Sequence, residues 1–272
     1  WVEHAFTKYH GLGNDFIFLE DLEGNLLPQG EQLARLLCDR HFGIGADGLV
    51  LIIRGEDRFT MRIFNADGSE AEMCGNAVRC MADYLLRQGL AEGPVLQIST
   101  LAGVKVIQAA DGLYRVDMGE PDFSSHGGGP LRLTASGQEW LCHPVSMGNP
   151  HAVVFVDEVD AVNLAMWGPT LENHPVWPQK ANIEFVQVLS RNRIKVRVWE
   201  RGAGPTLACG TGACAAAATS TRLGLTESPV QVELPGGGLT IEWKMGSHVF
   251  MSGPATRVFS GTVDLEALRS GR

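Results

Sequence analysis

Long apolar runs are missing from this 272-residue chain. Its longest purely aliphatic stretch is Leu49 to Ile53, far short of the ~20 residues that a membrane helix needs. Basic clusters are missing too. Lys and Arg total 22 against 31 Asp and Glu, a net charge of −9. A nucleic-acid binder usually carries a basic patch, so neither nucleic acid nor membrane is an expected partner. The N-terminus, Trp1-Val2-Glu3-His4, lacks a signal-peptide pattern and also an initiator Met. The expected compartment is the cytoplasm, or the plastid stroma if a leader has been removed. Low-complexity tracts are absent beyond short glycine runs. The six cysteines, Cys38, Cys74, Cys80, Cys142, Cys209 and Cys214, are spaced too widely for the disulfide framework of a small secreted domain. Reduced thiols in a reducing compartment fit better.

What is present is a doubled segment. Ala208-Cys209-Gly210-Thr211-Gly212-Ala213-Cys214 runs directly into four alanines. Alanine is the strongest helix former, and Gly-Thr-Gly can expose backbone N–H groups where the helix begins. There the helix dipole favours an anion and lowers a thiol's pKa, and the N–H groups can hold a carboxylate. Met73-Cys74-Gly75-Asn76-Ala77-Val78-Arg79-Cys80 has the same layout 135 residues earlier. At that same offset Gly13-Asn14 falls on Gly148-Asn149, Ala46-Asp47 on Ala181-Asn182, and Arg62-Ile63-Phe64-Asn65 on Arg197-Val198-Trp199-Glu200. Gly89 and Gly224 close both helices as left-handed caps. The chain is two copies of one unit.

The expected fold class is mixed α/β, of the α+β kind. Two pseudo-symmetric domains would each wrap a curved, mostly antiparallel sheet around a central helix. Strands are expected at Ala5 to Tyr9, Phe16 to Leu19, Leu49 to Ile53, Phe59 to Phe64, Val95 to Ser99, Val104 to Ala109 and Tyr114 to Met118. The second copy repeats the pattern from Leu131 onward. Helices are expected at Glu31 to Cys38, after Cys74, and over Ala213 to Leu223. The Gly-, Ser- and Pro-rich stretch Gly119 to Pro130 marks a boundary. The expected domains are 1–118, joined by a C-terminal strand in 261–272, and 119–260. Gly43 to Gly48 matches G-x-G-x-x-G, but a strand follows it where a dinucleotide site needs a helix.

Facing domains would set two cysteines across one cleft. That suits proton removal from one face of a carbon and return on the other, with one thiolate and one thiol. Two helix ends would stabilise charge spreading onto a substrate carboxylate without a cofactor.

The chain resembles the diaminopimelate epimerases. The resemblance is carried by Tyr9-His10-Gly11-Leu12-Gly13-Asn14-Asp15-Phe16, Phe42-Gly43-Ile44-Gly45-Ala46-Asp47-Gly48, Phe64-Asn65-Ala66-Asp67-Gly68-Ser69-Glu70 and Met73-Cys74-Gly75-Asn76. It continues in Met147-Gly148-Asn149-Pro150-His151, Asn182-Ile183-Glu184-Phe185, and Glu200-Arg201-Gly202-Ala203-Gly204 through Ala208 to Gly212. It implies a pyridoxal-independent epimerase interconverting LL- and meso-diaminopimelate for lysine and cell-wall synthesis. Cys74 and Cys209 are then the acid–base pair. Gly75, Asn76, Gly210 and Thr211 hold the substrate carboxylate through backbone N–H groups. Asn14, Asn65, Asn149, Asn182, Glu200 and Arg201 are substrate ligands, the Arg suited to a carboxylate and the Glu to an ammonium. His151 is a supporting residue or a substrate contact rather than an acid–base group. Gly48 stands where some relatives carry Gln, so only its backbone could contact substrate, and Pro205 stands where many carry Glu. No cofactor and no metal are expected, and a homodimer is compatible with the reading. Two alternatives remain. One is racemisation of another amino acid, such as proline or hydroxyproline. The other is a redox or metal module built on the cysteines.

Overall fold

The structure, a computed structural model, describes residues 3–271. The chain divides into two compact units, one formed by residues 1–116 with 254–272 and the other by 117–253.

In the first unit the chain runs β1 (Glu3–Gly11), β2 (Asn14–Glu20), α1 (Gly30–Leu37), β3 (Gly48–Arg54), β4 (Phe59–Asn65), β5 (Glu70–Ala71), α2 (Gly75–Arg87), β6 (Val95–Thr100), β7 (Gly103–Ala110) and β8 (Leu113–Asp117). The second unit holds β9 (Leu131–Ala135), β10 (Gln138–Ser146), β11 (Pro150–Phe155), α3 (Leu164–Glu172), β12 (Asn182–Ser190), β13 (Arg193–Glu200), β14 (Gly204–Pro205), α4 (Gly210–Arg222), β15 (Val230–Leu234), β16 (Gly237–Glu242) and β17 (Phe250–Pro254). The chain then returns to the first unit as β18 (Thr256–Asp264) and α5 (Leu265–Ser270).

Pairing is mostly antiparallel in both units. β1 lies between β18 and β2, and β3 pairs antiparallel with β4. In the second unit β10 lies between β9 and β11, and β12 pairs antiparallel with β13. Parallel crossovers run through helices in both units, β2 to β3 over α1 and β4 to β6 over α2 in the first, β11 to β12 over α3 and β13 to β15 over α4 in the second. The repeat is direct. β1 and β10 are each nine residues, and α2 and α4 are each thirteen, at an offset of 135. β18 gives the first unit the flanking strand that β9 gives the second.

Sequence patterning explains the sheets. On β13 the buried residues alternate as Ile194, Val196 and Val198, the period that buries one face of a strand. The core of β12 is buried at every position from Asn182 to Val186, as befits a central strand covered on both sides. The helix α4 is buried from Gly210 through Ser220 except at Thr211. Its Ala, Gly, Thr and Ser side chains are small enough for strands to pack closely all round. Around α2 the burial is equally complete, yet Arg79 and Asp83 are both inside. Asp83 accepts from Tyr9 Oη at 2.7 Å, Tyr114 Oη at 2.5 Å and Arg87 Nε at 2.6 Å, so the charge is satisfied.

The helix α3 is not in the sequence expectations. Gly168 and Pro169 sit inside it, and both oppose helix on propensity. Packing overrides them: a Cβ on Gly168 would lie 2.3 Å from the Trp199 ring, so only glycine lets the helix reach β13. Among the described residues no helix is long and apolar enough to cross a membrane.

Candidate active site

In the first unit Cys74 is the N-cap of α2, in extended conformation. The first-turn N–H groups of a helix have no acceptor within it, and Gly75 and Asn76 supply that turn here. The Cys74 thiol donates to Asn14 Oδ1 at 3.6 Å, and Asn76 Nδ2 donates to the same oxygen at 3.1 Å. Asn14 Nδ2 donates to Asp47 Oδ2 at 2.9 Å. Behind them the fully buried Arg79 donates to Asn76 Oδ1 at 2.8 Å, to Gly75 O at 3.3 Å and to Pro254 O at 3.1 Å. Gly11 makes room for this group, since a Cβ there would lie 3.0 Å from the Asn76 Cβ and 3.1 Å from Arg79 Nη2. Asn14, Cys74 and Asn76 therefore form one connected set. Asn65, at the end of β4, instead donates to Ser69 Oγ at 3.0 Å. Gly48 opens β3 opposite Asn65.

In the second unit Cys209 is the N-cap of α4, and Gly212 N donates to its Sγ at 3.4 Å. Thr211 Oγ1 lies 3.7 Å from the same sulfur. Asn149 Nδ2 donates to Thr211 Oγ1 at 3.3 Å, and Asn149 Oδ1 lies 2.9 Å from His151 Nε2. His151 Nδ1 is 2.6 Å from Glu184 Oε1, with both side chains fully buried. A second thread holds the turn after β13. Asn182 Oδ1 accepts from Arg201 N at 2.8 Å, and Asn182 Nδ2 donates to Pro150 O at 2.9 Å. The Arg201 guanidinium donates to Gln179 O at 3.1 Å. Buried Glu172 accepts from Trp199 Nε1 at 2.8 Å and Gly202 N at 2.9 Å. Glu200 hydrogen-bonds the Cys209 thiol.

The two cysteines share a position and differ in surroundings. Burial pushes the Cys209 thiol well above the usual value, and the Glu200 and Glu184 carboxyls push it further. The Gly212 N–H opposes them and is outweighed. This corrects the sequence expectation that a helix N-terminus lowers this thiol. Desolvation by the sheet and two carboxylates outweigh the dipole. Cys38 and Cys142 are pushed up to about 12, in both cases first by burial. Cys80 and Cys214 are fully buried within α2 and α4. All six cysteines are thiols. Among the described residues no group of three or more His, Cys, Asp or Glu is arranged to hold a metal ion.

Sequence reasoning named Cys74, Cys209 and the asparagines but passed over Arg79, Glu172 and Glu184 as site residues. For Glu184 a signal existed in the repeat: Leu49 stands at its place in the first copy, and Phe16 at the place of His151.

A tandem of antiparallel-rich units, each capping its central helix with a cysteine, belongs to the class of PhzF and proline-racemase-like folds. A phenazine biosynthesis protein of the PhzF family from Bacillus anthracis superposes with a TM-score of 0.74 at 17% identity, covering 97% of this chain and all of that one. The chain belongs to the diaminopimelate epimerase family, whose model matches residues 6–124 and 144–258. It is 50% identical to the diaminopimelate epimerase of Pelotomaculum thermopropionicum, over 94% of this chain and 97% of that one. It is 48% identical to the one from Synechocystis, over 96% and 99%.

Proposed function

We propose that this epimerase interconverts LL- and meso-2,6-diaminopimelate by passing the α-proton between two thiols, Cys74 and Cys209, in the route to lysine. A thiolate takes the α-hydrogen as a proton from one face. The electron pair of the C–H bond moves into the carboxylate, and the other thiol returns a proton from the opposite face. The enzyme is left with its two sulfurs in exchanged protonation states.

The observation that carries this reading is the pair of cysteines, each at the N-cap of the central helix of its own unit, in a chain that belongs to this family. The helix ends suit the substrate carboxylate. Gly75 and Asn76 on one side and Gly210 and Thr211 on the other offer N–H groups to the charge that grows there in the transition state. Burial and Glu200 favour the protonated form of Cys209, which supports Cys209 as the proton donor of the resting enzyme and Cys74 as the base. Arg201 suits the second carboxylate of the substrate, and Asn14, Asn65, Asn149 and Asn182 offer both donors and acceptors to a zwitterion. His151 supports Asn149, and Gly48 contributes backbone alone. The chemistry described uses no cofactor. The small-molecule substrate is the partner, a homodimer is the proposed assembly, and the cytoplasm the proposed compartment.

The substrate test is α-proton exchange in heavy water with diaminopimelate isomers and, separately, proline. Exchange with diaminopimelate and none with proline is expected. Exchange with proline alone would overturn the substrate assignment.

A further inference from the structure

The turn after β13 in the second unit corresponds to the turn after β4 in the first, yet the two have different forms. In the second unit Ala203 N donates to Glu200 O at 3.1 Å, closing the four residues from Glu200 to Ala203. In the first unit Gly68 N donates to Asn65 O at 2.9 Å, closing Asn65 to Gly68 at the same offset of 135. The flanking strands correspond as well, since Trp199 pairs with Pro205 and Phe64 with Glu70. The third residue sets the two turns apart. Gly202 has φ of 76°, the type II form, whereas Ala66 and Asp67 keep negative φ, as in a type I turn. The two forms differ by a flip of the central peptide, so the N–H of the third residue points to opposite sides of the turn.

The residue beside the turn differs in step. Glu172, the last residue of α3, is buried, and its Oε1 accepts from Gly202 N at 2.9 Å. Its Oε2 accepts from Trp199 Nε1 at 2.8 Å. The offset of 135 puts Leu37 at this place in the first unit, buried and with no acceptor on its side chain. A carboxylate is disfavoured here on two counts. Burial penalises its charge, and the carbonyl end of a helix repels an anion. One N–H donor on each oxygen offsets that cost. The peptide before Arg201 is held too, because Arg201 N donates to Oδ1 of buried Asn182 at 2.8 Å. Arg201 is itself exposed, but the peptides on both sides of it are bound to buried side chains.

We propose that Glu172 is a positioning residue for substrate recognition. Its carboxylate holds the turn in the flipped form and so keeps Arg201 in place for the second carboxylate of the substrate. Glycine takes φ above zero without strain, but it takes negative φ as readily. Gly202 therefore permits the flipped form, and Glu172 selects it. A turn free to take either form is competent to bind for only part of the time, and apparent affinity falls by that fraction. The inference rests on Arg201 being a substrate ligand, as proposed above.

The test is Glu172→Gln. A carboxamide has one oxygen, so its NH2 group must face one of the two N–H donors. In α-proton exchange with diaminopimelate, KM should rise about tenfold with kcat little changed, the pattern of binding lost equally from ground state and transition state. In an Arg201→Ala background the same substitution should change kcat/KM by less than about twofold, because the two residues act through one turn. An equal loss in both backgrounds would assign Glu172 to general packing and overturn the proposal, as would an unchanged KM. A second readout needs no turnover. Amide hydrogen exchange at the Gly202 N–H should speed up about tenfold or more in Glu172→Gln. An unchanged rate would show that the carboxylate does not hold this peptide and would also overturn the proposal. If Glu172→Gln does not fold, Gly202→Ala carries the test. A Cβ there meets open space, so the substitution acts through φ alone. The same rise in KM is expected, and an unchanged KM would overturn the proposal. A parent enzyme inert toward diaminopimelate would disprove the substrate reading, and the amide measurement would still decide whether Glu172 holds the turn.

Discussion

At the scale of single residues, Cys74 and Cys209 show how much a shared position leaves undecided. Both cap a helix, yet one is backed by a buried arginine and the other by two carboxyls, buried Glu184 and half-buried Glu200. Replacing either with Ala should abolish epimerisation while leaving circular dichroism and melting unchanged, since one thiol cannot serve both faces of a carbon. Cys38→Ala and Cys142→Ala should keep turnover, because burial holds both as inert thiols. Equal loss from all four would point to a structural role. Arg79 makes a separate prediction. It is wholly buried and satisfies three acceptors, Asn76 Oδ1, Gly75 O and Pro254 O. Arg79→Leu removes the guanidinium from Asn76 Oδ1 and Pro254 O, while Gly75 O keeps its place in the helix ladder, and denaturant unfolding should report a loss of about 2–4 kcal/mol. A loss under about 1 kcal/mol would show that other groups or water satisfy those two oxygens. The cysteines and asparagines were legible in the sequence because their motifs repeat. Arg79 was not, because a charged residue in an apolar-patterned segment is ordinarily read as a solvated face, and Glu184 carried only the contrast with Leu49 in the first copy. The packing shows that both are buried.

At the scale of elements, α2 and α4 were readable from composition. Their cysteine caps, helix-forming interiors and closing glycines occur twice at one spacing. Gly89 and Gly224 do adopt left-handed backbone, at φ of 66° and 73°. The helix α3 was not readable. Its segment has no clear period, and Gly168 and Pro169 lie within it. What forms it is the Asn163 cap, whose Oδ1 accepts from Met166 N at 3.2 Å, together with packing against Trp199. Two glycine substitutions separate these causes. Gly168→Ala drives a methyl into the indole and should cost about 1–3 kcal/mol, as overpacking does. Gly224→Ala meets open space and bears backbone strain alone, about 1 kcal/mol. Thermal melting of both should rank Gly168→Ala as the more damaging. The reverse order would mean that α3 yields to make room.

At the scale of the whole chain, duplication explains why so much of the architecture was readable. A fixed offset marks corresponding elements even where propensity is weak. It does not report what changed after duplication, and the His151–Glu184 pair in place of Phe16 and Leu49 is such a change. Global stability also has a pH signature from the first unit. Burial alone would raise the Asp15 carboxyl, but hydrogen bonds from Arg40 and Lys8 outweigh it and hold it well below the usual carboxylate range. A group whose folded pKa is depressed stabilises the fold above its unfolded value, near 4, and loses that contribution as pH falls through the folded value. Asp15→Asn should therefore melt lower than the parent at pH 7, with the gap closing below about pH 4. A gap that stays constant down to pH 2 would assign the effect to packing. The central claim, that two thiols act on opposite faces of one α-carbon, is tested most directly by isotope position. Diaminopimelate is incubated with the enzyme in heavy water, and each isomer is analysed at early conversion. The account predicts solvent deuterium at the α-carbon of the inverted product while recovered substrate stays largely unlabelled. Inverted product that retains its original proton would mean that one base carries it across, and would contradict the two-thiol mechanism.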